Sequence, residues 1–533
     1  MVHCFFNPNS VNYNDLYVIK QNGGGYYEGF KYQRGGGKLG DFFRNVWRHM
    51  VPIAKGVASE VGKEGMSAGL NILSGMQEGT PVTQLLKKEA AKTTENLLKT
   101  AAGKVACASS AIQFFEPRPT NVSVNSAHYE MLSTLNPISS RPWLFKIDPG
   151  SSYVDLSKTY LVMKVKLFKW DSTLKVWINT KEEDNAALIN CPGSSLLKNV
   201  KIDICGKEVY NSNGLMAYKQ YLDTELSLSS DVKDSFMESA GYFKEGEDPN
   251  SVTDENFKKR VKMFSGGKTV ELVSKLSLDM FNQNLLLLNQ TTVDIEITTN
   301  SPEFILHVPN VQAGEQYSIE YLSCNLFVKT MNLMDGLALE IARKLEVTPA
   351  KYSLKRTELK TFFISAGRYE YTANVFNSSI PKRVILGLVP TPAYIGDIKL
   401  SPFLFSNNDV SEVSISANGE RYPQVPYKLN FNDYGYTRAF VDLYQTLGWD
   451  LTESPGITLE IFKKRLCLFA FNLTSSMESS NECFDLLKTG STSLYIRFSK
   501  PVPTDGLNLI IYAEYDGILM INQFRDVYTD ENV

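Results

Sequence analysis

The strongest constraint on this chain is that it repeats itself. Residues 200–209 read VKIDICGKEV and residues 413–422 read VSISANGERY; Val200 matches Val413, Ile202 matches Ile415 and Gly206 matches Gly419, all at an offset of 213. Each copy is an alternating apolar run that enters a turn at glycine and leaves in charge, the pattern of a β-hairpin. Gly206 and Gly419 are therefore read as tight-turn positions, not as parts of an active site. AYKQYL (217–222) follows the first hairpin and AFVDLY (439–444) the second, 222 apart. LLLLNQTTVDIEI (285–297) then aligns with LLKTGSTSLYIRF (486–498) at an offset of 201, which pairs Thr291 with Thr492 and sets Val293, Ile295 and Ile297 against Leu494, Ile496 and Phe498. Three anchors in one order point to duplication of a whole unit.

The unit is a β-domain. YLVMKVKLF (160–168), YSIEYLSCNLFV (317–328) and LNLIIYAEY (507–515) are strand-like runs rich in β-branched and aromatic residues, bounded by Asn, Gly, Pro and Ser. A chain of 533 residues also exceeds what one core accommodates. Two tandem β-sandwiches follow, over 113–333 and 350–533. Between them, over 334–349, MDGLALEIARKL sets Met334, Leu337, Ala338, Ile341 and Leu345 on one helical face and stops before Pro349, so a short linking helix is expected. The polar stretch 230–268 reads as an exposed loop.

Residues 1–112 differ in kind. A glycine-rich stretch leads into DFFRNVWRHM, where Phe42, Phe43, Val46, Trp47 and Met50 fall at helical spacing and Pro52 ends the run. A further helix is expected from Thr80 and Pro81 onward. Residues 1–110 hold 13 Lys and Arg against 8 Asp and Glu, a charge of +5 where the whole chain has -3. Such a partly helical, basic arm suits an anionic partner, nucleic acid or lipid headgroups.

Motifs for catalysis are missing. The four histidines, His3, His49, His128 and His307, form no HxH or HExxH spacing, and no GxSxG elbow occurs. SGGKT (265–269) has the tail of a phosphate-binding loop, but the leading glycine position is Lys262. The sequence thus points to a structural or binding protein, not an enzyme, with no cofactor, metal or small-molecule substrate. Seven scattered cysteines without CxxC pairs suit a reducing compartment, and the N-terminus lacks the features of a signal peptide.

Several stretches resemble a known family: YVDLSKTYLVMKVKL (153–167), NLLLLNQTTVDIEI (284–297), AKYSLKRTELKTFFI (350–364), YTRAFVDLYQTLG (436–448) and LIIYAEYDGILMINQFRDV (509–527). Together they are similar to the double jelly-roll major capsid proteins of Polinton (Maverick) elements and adintoviruses, which are hexon-like. The resemblance implies a mainly β chain of two jelly rolls, a homotrimer forming a pseudo-hexagonal capsomer, and an icosahedral shell. Neighbouring capsomers and penton or minor capsid proteins are the implied partners. The implied location is the virion, after intracellular assembly in nucleus or cytoplasm. In the arm, YYEGFKYQRGGGKLGDFFR and GKEGMSAG are similar to adenovirus protein VI-like minor capsid proteins. That similarity implies an internal arm whose Phe42 to Met50 helix docks under the capsomer, meets encapsidated DNA or disturbs a membrane. The alternative is a host β-sandwich binding or adhesion module derived from an integrated element.

Overall fold

Both copies of the hairpin close on the same turn. A computed structural model describes residues 121–449, 453–475, 484 and 487–529. Cys205 and Gly206 have φ of 49° and 78°, and Asn418 and Gly419 have 49° and 86°. Two consecutive left-handed residues make the turn whose twist matches that of the flanking strands. The arm positions Phe42, Phe43, Val46, Trp47 and Met50 lie outside the described residues.

Among the described residues, eight strands in each half build the main sheets, beside four shorter ones. The first half contains β1 (Val124–Ser133), β2 (Trp143–Ile147), β3 (Tyr153–Asp171), β4 (Leu197–Ile204), β5 (Lys207–Asn211), β6 (Val270–Ser274), β7 (Val293–Thr299) and β8 (Tyr317–Leu333). The second contains β9 (Ala350–Ile364), β10 (Glu370–Phe376), β11 (Arg383–Pro390), β12 (Val410–Ala417), β13 (Glu420–Tyr422), β14 (Phe469–Asn472), β15 (Thr492–Phe498) and β16 (Leu507–Ile521). The first half pairs as β1-β8-β3-β6 and β2-β7-β4-β5, and the second as β9-β16-β11-β14 and β10-β15-β12-β13. All these ladders are antiparallel, and the second half follows the same path as the first. Two four-stranded sheets connected in this order are a jelly roll, and the chain holds two.

The repeated apolar positions are the core. Val200, Ile202, Val293, Ile295 and Ile297 are buried, as are their counterparts Val413, Ile415, Leu494, Ile496 and Phe498. Ile202 pairs with Ile295 in the first roll, and Ile415 with Leu494 in the second. The ladders thus set β15 two residues away from the alignment read off the sequence. A slip of two residues preserves which side chains face inward, so the apolar pattern alone does not detect it.

The connections include α1 (Met216–Ser227), α2 (Ser230–Lys233), α3 (Glu255–Phe264), α4 (Asp335–Leu345), α5 (Thr437–Leu447) and α6 (Leu459–Lys464). Helix α4 runs from the end of β8 to the start of β9. It buries Leu345 and half-buries Leu337, Ala338 and Ile341, while Met334 precedes it and is exposed. The rolls stand parallel. At the pole of the hairpin turns, Lys207 Nζ donates to Val527 O at 3.0 Å; at the opposite pole, Ser230 N donates to Ser454 O at 3.0 Å.

The stretch 230–268 is not the exposed loop that its polarity suggests. It carries α2 and α3 and buries Lys233, Tyr242, Glu245, Phe257, Arg260, Val261 and Phe264. Asp254 caps α3 by accepting hydrogen bonds from the backbone N–H groups of Asn256 and Phe257. Three of its charged residues, Lys233, Glu245 and Arg260, are buried, and each is paired.

Candidate functional site

The most informative surface is the seam between the rolls. β16 begins LNLIIYAEY, and every residue of Leu507–Tyr515 is buried; so is every residue of Arg383–Val389 in β11. Burial on both faces means that something covers the outer face of this sheet as well as the inner one. Phe405 and Leu468 lie against β11 at Gly387 and Thr446 O accepts from Arg383, while α1 of the first roll, with ten of its twelve residues buried, packs on Phe403 and Phe405 and meets β16 through Asp223.

Aromatic packing and hydrogen bonds join helix and sheet. Tyr221 stacks on Phe403 at 4.1 Å between ring centres, and Tyr218 packs against Tyr394, Phe403 and Phe405. Asp223 accepts from the Tyr512 hydroxyl at 2.9 Å. Asp279 accepts from Thr357 N at 3.1 Å and from Thr357 Oγ1 at 2.8 Å, and Trp449 Nε1 donates to Leu226 O at 2.8 Å. Near the turn pole, Arg525 holds Asn289 through its carbonyl and side-chain oxygens at 2.8 and 2.7 Å.

A cluster of buried charges sits where α1, the 230–268 insertion and the second roll meet. Arg465, at the end of α6, lies 3.3 Å from Glu225 and 3.6 Å from Glu245, and also donates to the Tyr221 hydroxyl at 3.1 Å. Lys233 is 3.2 Å from Glu225, and Arg260 is 2.9 Å from Glu245, an ion pair not aligned as a hydrogen bond. Tyr242 donates to Glu225 at 3.1 Å. All five charged side chains are at most 3% exposed. Burial alone would push the Glu225 carboxyl up, but Lys233 and Arg465 hold it down at about 2. Burial outweighs Arg260 and Arg465 at Glu245, which is raised. Burial lowers Lys233 despite Glu225. It also opposes charge on Arg465, but Tyr221, Glu225 and Glu245 raise that group, which stays a cation. A second group, on the outer face of the covered sheet, sets Glu514 2.6 Å from Arg383 and 2.8 Å from Lys355.

This arrangement binds one roll to the other and offers little room for a substrate. A pocket on the seam, lined by Tyr210, Lys219, Thr357 and Leu359 among others, has about 30 Å³, space for a water or two. Among the described residues, no group of three or more His, Cys, Asp or Glu is placed to hold a metal. Among those same residues, no helix is long and apolar enough to cross a membrane.

Gly206 and Gly419 stand in the two hairpin turns, in separate sheets, and take no part in the charge cluster. Glu225, Glu245, Arg260 and Arg465 were invisible to motif reading, since charges scattered over 240 residues carry no spacing signature. Two signals were available. LNLIIYAEY lacks the alternation of YLVMKVKLF, and Phe257, Val261 and Phe264 recur at helical spacing inside the polar stretch.

The chain is similar to other proteins over most of this region. An uncharacterized protein of Caenorhabditis elegans is 29% identical over 423 residues, covering 78% of this chain and 99% of that protein. No protein-family model matches. Among solved structures, a chain of the Sputnik virophage is 12% identical with a TM-score of 0.54, covering 80% of this chain and 92% of its own. The mavirus major capsid protein is 10% identical with a TM-score of 0.43, over 79% of this chain and 94% of its own. The virophage likeness is one of fold, and it agrees with the strand order: the chain is a double jelly roll, and structures similar to it include viral capsid proteins.

Proposed function

We propose that this chain is a structural protein without catalytic activity: a major capsid, hexon-like subunit of a Polinton or adintovirus type of element. Three copies form a pseudo-hexagonal capsomer, and capsomers tile an icosahedral shell with penton and minor capsid proteins. The observation that carries this reading is the pair of parallel jelly rolls fused through a buried seam. Two equivalent rolls per chain let three chains occupy a six-sided place, and fixed parallel rolls give every copy the same inner and outer poles. The fold shared with the virophage chain supports the same reading. Residues 1–112 form an internal arm in this account, with Phe42, Phe43, Val46, Trp47 and Met50 as its docking or membrane-active face. The domain limits 113–333 and 350–533 are part of the proposal.

The test is expression of the full-length chain in eukaryotic cells, followed by density-gradient fractionation and electron microscopy. Fast-sedimenting shells or capsomer sheets are expected. Monomers throughout the gradient would overturn the reading and favour a second one, a host-encoded β-sandwich binding module, with which a nematode relative is compatible.

A further inference from the structure

His307 fits none of the motifs sought in the sequence, and it lies where the two rolls meet. Its two-residue strand, Leu306–His307, pairs with Ala187–Leu188 of the first roll. The next residue, Val308, donates its N–H to Ile398 O of the second roll at 2.6 Å. A Cβ added at Gly396 would stand 3.0 Å from Phe304 N, so the two segments touch backbone to backbone.

The ring of His307 is fully buried. Its Nε2 lies 3.3 Å from Asn250 Oδ1, which also accepts from Ser401 N of the second roll at 2.7 Å. A carbonyl oxygen can only accept, so Nε2 carries the ring proton and Nδ1 the lone pair. Nδ1 is buried and has no hydrogen-bond partner among the described residues.

The surroundings set what a second proton meets. From α3 the ring faces Phe257, with ring centres 5.3 Å apart, and Arg260, a buried cation that disfavours further positive charge. Arg260 is paired with Glu245, which Arg465 also approaches, so that carboxylate already serves two guanidinium groups. In the 246–254 loop, Asp248 and Asp254 accept from backbone N–H groups and Glu247 meets Lys464. In the second-roll segment, Asp397 accepts from Lys399 N. A proton on Nδ1 is thus a buried charge beside a cation, with no acceptor. Burial first, and then Arg260, hold the imidazole well below its usual value near 6.5.

We propose that His307 is an acid-sensitive latch between the two rolls. Neutral, it holds Asn250 in place as the bridge to Ser401; protonated, it drives the 246–254 loop off Ser401 and opens the joint. The inference concerns a single chain and does not rest on the capsomer reading. Because the opened chain takes the proton near pH 6.5 and the closed one only far below it, the stabilisation is complete above about pH 6.5 and is lost as pH falls. Each pH unit below that shifts the opening equilibrium by about tenfold. Glu245 is raised by burial and works in the opposite direction, so the share of His307 is the difference between the parent and a variant that does not titrate there.

The test is hydrogen exchange of the full-length protein from about pH 7.5 to about 5.5, corrected for intrinsic exchange rates. Between about pH 6.5 and 5.5, protection of the Val308 and Ser401 N–H groups is expected to fall about tenfold. Cys205 N–H, bonded to Thr292 O at the pole of the hairpin turns, keeps its protection. His307→Gln, whose amide can donate to Asn250 and stays neutral, abolishes the fall, whereas His128→Gln, at an exposed position of β1, leaves it in place. Level protection in the parent, an equal fall at Cys205, or a fall that persists in His307→Gln would each overturn the latch. The comparison of Ser401 with Cys205 within the parent decides the matter even where His307→Gln does not fold.

Discussion

Arg465 is the side chain from the second roll that reaches into the buried charge cluster of the first. Glu225 and Glu245 both lie within 4 Å of it, so its loss leaves two buried carboxylates with only Lys233 and Arg260 to balance them. Breaking a buried pair from one side costs about 3–5 kcal/mol. Arg465→Met is expected to lower the unfolding free energy by about that amount in denaturant titration; a loss below about 1 kcal/mol would mean that the cluster is nearly neutral to stability. Acid response follows from Glu225. Its folded pKa of about 2 lies below the ordinary value near 4.3, so its stabilisation is complete above about pH 4.3 and disappears as pH falls toward 2. Glu245 and Asp279 are raised by burial, and protonation relieves a cost there, which works against the loss at Glu225 as acid is added. Glu225→Gln should therefore flatten the decline of stability between about pH 4 and 2, read from denaturant midpoints at several pH values. An unchanged slope would assign the acid response to other groups.

At the scale of elements, the hairpins were the most legible part of the sequence, because a turn with two left-handed residues restricts what can occupy it. In both turns a Cβ added at the glycine meets nothing within 4 Å, so substitution costs backbone strain and not packing. Gly206→Ala and Gly419→Ala are each expected to destabilise by about 1–2 kcal/mol, and by similar amounts. Thermal or chemical unfolding measures this; a large difference between them would break the equivalence of the two hairpins. The paired strands β4 with β12 and β7 with β15 were also visible through their period of two. The two-residue shift of β15 was not, since inward-facing residues stay inward-facing. Residues 230–268 misled because hydrophilic composition was taken for exposure. The insertion buries Glu245 and Arg260 against each other, and mutual satisfaction of charges has no local sequence pattern.

For the whole molecule, duplication was readable and the way the copies combine was not. Nothing in the apolar pattern states that α1 packs against Phe403, Phe405 and Tyr512 of the second roll; that follows from tertiary contacts among residues far apart in sequence. The contrast between LNLIIYAEY and YLVMKVKLF was the trace of it, one strand buried on both faces and the other on one. The most direct measurement is electron microscopy of the purified full-length protein with two-dimensional averaging of single particles. The account predicts six-lobed rings with three-fold symmetry and two lobes per chain, whereas two-lobed monomers or two-fold dimers would contradict it.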